Sequence, residues 1–72
     1  MTLKTTLNQI DENEITPSRP LVIYSDGDIT CENGMIPWSI KDAKAECERL
    51  GLLDKECSTE KSEHEVVIVY KA

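Results

Sequence analysis

Residues 64–72 read HEVVIVYKA, and the stretch from Val66 to Tyr70 is an unbroken apolar run. In a strand, Val66, Ile68 and Tyr70 point to one side and Val67 and Val69 to the other. Both sides are apolar, so this strand needs cover on two faces. LVIYS at 21–25 has the same character. The fold turns on how these two strands are arranged and on what lies over each face of the sheet they build.

Working outward, Asp26-Gly27 in SDGD is the residue pair of a tight hairpin turn. DITCE at 28–32 then alternates, with Ile29 and Cys31 on one side and Asp28, Thr30 and Glu32 on the other. That pattern predicts an edge strand with one wet face. Asn33-Gly34 allows another sharp turn, and Pro37 stops any strand. SIKDAKAECERLG at 39–51 predicts a helix. Ser39 is its N-cap, with Asp42 as a weak capping box and Trp38 just ahead of the cap. Ile40, Ala43, Cys47 and Leu50 make the apolar stripe, and Gly51 is the stop. Leu52 and Leu53 tuck back, and an acidic loop at 54–64 leads into the last strand.

The expected order is therefore ββαβ over residues 21–71. The class is α+β: a small three-stranded antiparallel sheet, strand order 2-1-3, with one helix packed on one face. The outer edge of the last strand is left open to an added strand.

At 72 residues the chain makes one small domain, 1–72, with marginal stability. The N-terminal segment 1–18 is open to two readings. Leu3, Leu7 and Ile10 fit a helical stripe, but Leu3 and Leu7 also share a face in a strand, and the threonines weaken a helix. DENEITPSRP at 11–20 reads as a loop. The second sheet face is then covered either by Leu3, Leu7, Ile10 and Ile15 or by another chain, as a homodimer or a target protein.

The net charge is −6, and Asp54–Glu65 holds five acids against two lysines. This sign opposes direct nucleic-acid binding and anionic membranes, and it favours a basic protein partner. No stretch approaches a membrane span, and MTLKTTLNQI lacks the apolar centre of a signal peptide, so a cytoplasmic protein is expected.

Chemistry is sparse. Cys31, Cys47, Cys57 and His64 contain no closely spaced cysteine pair of a structural zinc site. Cys57 and His64 share a loop, but Glu56, Glu60, Glu63 and Glu65 oppose a reactive thiolate. SDGDITCENG lacks the ligand order of a calcium loop. No cofactor, metal or enzymatic activity is therefore expected. Trp38 reads first as a packing residue and second as a binding anchor.

In size, acidity and lack of catalytic groups the chain resembles the inhibitor and accessory proteins of bacteriophages and mobile elements, the anti-CRISPR-like class among them. The likeness is one of type and rests on no motif. It implies a small acidic interaction module that binds a basic, nucleic-acid-binding host protein. Candidate partner-binding residues are Asp26, Asp28, Glu32, Trp38, Asp54, Glu56, Glu60, Glu63 and Glu65. The alternatives are a homodimeric structural or regulatory module using the apolar sheet face, and an antitoxin or immunity protein.

Overall fold

The computed structural model describes residues 1–28 and 34–72. The elements are α1 (Leu3–Gln9), a short 3-10 turn (Glu12–Glu14), β1 (Leu21–Ser25), α2 (Ile40–Arg49), β2 (Cys57–Lys61) and β3 (Val66–Tyr70). The predicted edge strand at 28–32 lies almost wholly outside the described residues.

The α+β class holds, but the sheet is not the expected one. Its order is β1-β3-β2 rather than 2-1-3, and it is mixed rather than wholly antiparallel. β1 runs parallel to β3, with Leu21 beside Val66 and Ile23 beside Ile68. β2 runs antiparallel to β3, with Thr59 opposite Ile68. The expectation counted one strand too few between the helix and the last strand. CSTEK at 57–61, read as part of an acidic loop, is a strand, and its extra reversal turns β3 into the direction of β1. β3 is therefore the central strand, which accounts for its apolar run, and its outer edge is not open. The reversal between β2 and β3 is a tight turn without glycine. The Ser62 hydroxyl accepts from the His64 and Glu65 N–H groups, and the Ser62 N–H donates to the Glu65 carbonyl at 2.9 Å.

β1 has an antiparallel neighbour on its other side, later in the chain than expected. The N–H and C=O groups of Ile23 and Met35 exchange hydrogen bonds at 2.9 and 2.7 Å. This bridge pins the approach to α2 onto the sheet.

α2 is capped as its sequence predicts. Ser39 Oγ accepts from the Asp42 N–H at 3.1 Å. At the other end Gly51 takes φ 70°, the Leu52 N–H reaches the Cys47 carbonyl at 2.8 Å, and the Gly51 N–H reaches Glu48 at 3.1 Å. This is a Schellman close, and it needs the left-handed residue that glycine supplies. Ile40, Ala43 and Cys47 are buried, but Leu50 is 47% exposed. Ten steps of roughly 100° carry Leu50 to the margin of the stripe, and the Schellman turn folds Leu52 back against the core in its place. Ser39→Ala is expected to cost about 1 kcal/mol. Leu50→Ala is expected to cost less than about 0.5 kcal/mol, as at other surface positions. Urea unfolding of the two variants checks the order; a Leu50 variant worse than the Ser39 variant would mean that Leu50 is packed.

In the N-terminal segment α1 is a helix with Thr2 as N-cap. Leu3, Leu7 and Ile10 are buried in one cluster with Ile40, Ala43 and Cys47 of α2 and with Leu21, Ile23, Val66 and Ile68 of the sheet. Both helices thus lie on the same sheet face. α1 widens the layer that α2 begins instead of covering the second face. Arg19 ties the following loop down, donating from Nε to the Ser62 carbonyl at 2.8 Å and from Nη1 to Glu14 at 3.3 Å. Lys61 Nζ lies 3.0 Å from the buried Glu14 Oε2, an ion pair without hydrogen-bond geometry. On the opposite sheet face Val22, Tyr24, Val67 and Val69 are half-buried and stand outside the core cluster.

Candidate functional site

A domain with so few aromatics would be expected to bury its one tryptophan. Instead Trp38 is 88% exposed, and Ile36, two residues before it, is 64% exposed. The cause is local. Met35 is held to Ile23 by the bridge and packs against the core, so the alternation of an extended chain turns Ile36 outward. Ser39 is fixed as the N-cap of α2, and Trp38 is projected from the loop ahead of it. The reading of Trp38 as a packing residue is therefore corrected.

Two grooves flank the indole. One is lined by Ile15, Thr16, Pro17, Pro20, Ile36 and Pro37 along with Trp38, and among the described residues no charged side chain lines it. The other runs along the first turns of α2, from Ile36, Pro37 and Trp38 to Asp42, Ala45 and Glu46. Both walls are braced. Thr16 and Arg19 exchange backbone hydrogen bonds at 3.2 and 3.0 Å around Pro17-Ser18. Glu46 is bound to Arg49 at 2.7 Å, and that guanidinium holds its carboxyl below the usual range. Among the described residues no cation lies within ion-pair distance of Asp42.

The remaining candidate residues do not converge on this patch. Asp26 sits in the turn after β1, where Oδ1 accepts from the Ala72 N–H at 3.2 Å. Asp28 is half-buried next to it, and Glu32 lies outside the described residues. Asp54 is exposed in the turn after α2. Glu60 stands on the outer face of β2, and Glu63 and Glu65 are exposed in and after the β2–β3 turn. Glu56 differs from these. Its carboxylate accepts from the Met1 amine at 2.7 Å, and that hydrogen bond holds its pKa down. Glu56 thus has a structural tie that charge alone does not reveal. Sequence reasoning passed over Ile36, Pro17 and Pro20, which build the groove walls. Their signal was present as apolar and proline residues on either side of the strand at 21–25, read there as loop punctuation.

The thiols separate by depth. Cys47 is fully buried, and burial pushes its thiol up, with Glu46 and Cys57 adding to the shift. Cys57 is half-buried at the start of β2, its Sγ 3.2 Å from Thr6 Oγ1. A thiol reagent under native conditions is expected to modify Cys57 well before Cys47, read by peptide mass mapping. Equal rates would mean that α2 opens locally. Among the described residues, no group of three or more His, Cys, Asp or Glu side chains is placed to hold a metal ion. Among them, too, no helix is long and apolar enough to cross a membrane.

Comparison with protein-family models, curated proteins and solved structures finds no match to this chain.

Proposed function

We propose that this protein is a small acidic interaction module that works by binding another protein through a surface centred on Trp38. The observation that carries the reading is the 88% exposure of its one tryptophan. A marginal domain gains about 1.5–3 kcal/mol from burying one large apolar side chain, and this chain forgoes that gain. Tryptophan is also the residue most enriched at binding hot spots. The net charge of −6 favours a partner with a basic surface and opposes direct contact with nucleic acid. A nucleic-acid-binding host protein blocked by this module fits that sign, and so does a toxin neutralised by it. The reading assigns no catalytic step and no cofactor.

The rival is a homodimer through the outer sheet face, which the half-buried Val22, Tyr24, Val67 and Val69 favour. Affinity capture from bacterial lysate, with the wild type and Trp38→Ala in parallel, tests the choice. The expected result is a protein retained by the wild type, lost by the variant and released by raised salt. Identical capture by both would sink the reading. A dimeric wild type whose mass is unchanged in Trp38→Ala would support the rival.

A further inference from the structure

The two grooves beside Trp38 differ in chemistry, and the difference specifies an occupant. On the α2 side the indole shares its groove with the Asp42 carboxylate, which has no cation partner among the described residues. On the other side the wall is Ile15, Pro17, Pro20 and Ile36. An exposed indole face beside a carboxylate with no cation partner among the described residues suits a cation, and arginine best, because its planar guanidinium stacks on the ring while donating to the carboxylate. The proline-lined groove suits an aliphatic side chain. From this, and resting on the reading of Trp38 as a binding surface, we infer that the site takes a short linear segment of a partner protein in which an arginine or lysine neighbours an aliphatic residue. The cation lies between Trp38 and Asp42, and the aliphatic side chain lies between the prolines and Ile36.

The walls are set before binding. The Ile23–Met35 bridge fixes one and the Thr16–Arg19 turn the other, while Pro17, Pro20 and Pro37 restrict the backbone around both. Little ordering is then left for the binding step. Charge complementarity selects this occupant over an acidic or phosphorylated segment, which Asp42 and the net charge of −6 would repel.

The test is selection of a linear random-peptide phage library on the full chain, followed by calorimetry of the enriched peptides. Enriched peptides are expected to carry arginine or lysine next to leucine, isoleucine, valine or methionine. Because Trp38 is the one tryptophan, its emission should change on binding. Trp38→Ala is expected to weaken binding roughly 30-fold or more, the scale of a hot-spot truncation. Asp42→Asn keeps the backbone N–H that caps on Ser39, so the helix stays intact. It is expected to weaken cationic peptides several-fold and leave glutamine-substituted versions unchanged. Selection of no peptide, selection of peptides without a cation, or binding that survives Trp38→Ala would overturn the inference. A wild type whose solution mass doubles while Trp38→Ala stays monomeric would also overturn it, by naming a second copy as the occupant. If lysate capture depends on Trp38 but no cationic peptide is selected, this inference falls alone. If capture does not depend on Trp38, the broader reading falls with it.

Discussion

Removing residues 1–10 is expected to abolish cooperative folding. The segment brings Leu3 and Leu7, both fully buried, and Ile10 at 7% exposure into the one core. At about 1.5–3 kcal/mol each, these side chains contribute roughly 5–9 kcal/mol. Small domains have roughly 5 kcal/mol to lose, at the low end of the usual range. The segment also closes backbone groups elsewhere. The Leu3 N–H donates to the Lys55 carbonyl at 2.9 Å, and the Cys57 N–H donates to the Met1 carbonyl at 2.8 Å. Without them the link from α2 into β2 loses its partners. Leu7→Ala is the graded version, with an expected loss of about 2–5 kcal/mol. Circular dichroism through a urea titration is the readout, because Trp38 is already solvated and its emission reports little on folding. A truncated chain that keeps the wild-type midpoint would show that α1 is an appendage and that the core is complete without it.

That the N-terminal segment belongs to the core was half legible. Leu3, Leu7 and Ile10 carry a helical stripe that the threonines obscure. Thr2 and Thr6 turn out to have places: Thr2 Oγ1 caps α1 by accepting from the Thr5 N–H, and Thr6 is buried against Cys57. The face it covers was not legible. A stripe says that a helix is covered on one side, but not which sheet face lies beneath it.

β1 and β3 were legible as apolar runs and α2 as a helical stripe, because burial marks the sequence in both ways. β2 was not, for the converse reason. Ser58, Thr59, Glu60 and Lys61 are all exposed, so no alternation marks the strand. It exists through its ladder to β3, which any residue but proline can make. Missing it reversed the direction inferred for β3, since strand direction follows from counting reversals. The site shows the same asymmetry. That Trp38 precedes the helix cap could be read from SIKDAKAECERLG, but its exposure could not. Exposure depends on the Ile23–Met35 bridge, which sets the path of the backbone and leaves no mark on the residues themselves.

Reversing Glu60, Glu63 and Glu65 to lysine is expected to slow association with a basic partner about tenfold or more at low salt. These carboxylates are exposed, and none has an ion-pair partner among the described residues. Glu56 is left out because its carboxylate holds the Met1 amine, so its reversal would disturb the N-terminal pairing as well as the surface charge. The triple change shifts the net charge by six units, from −6 to about neutral, which removes the long-range field while leaving Trp38 and both grooves intact. Steering acts on encounter and local contacts act on escape, so the association rate should fall much more than the dissociation rate rises. Near 1 M salt, where the screening length is about 3 Å, the two proteins should associate at similar rates. Stability should change by less than about 0.5 kcal/mol, since all three side chains are exposed. Trp38→Ala should show the opposite signature, with fast dissociation and a nearly unchanged association rate. Stopped-flow mixing with the partner captured through Trp38, at low and high salt, separates the two. If the triple reversal leaves low-salt association unchanged, the β2–β3 end of the sheet takes no part in encounter, and the charge that matters lies beside Trp38 at Asp42.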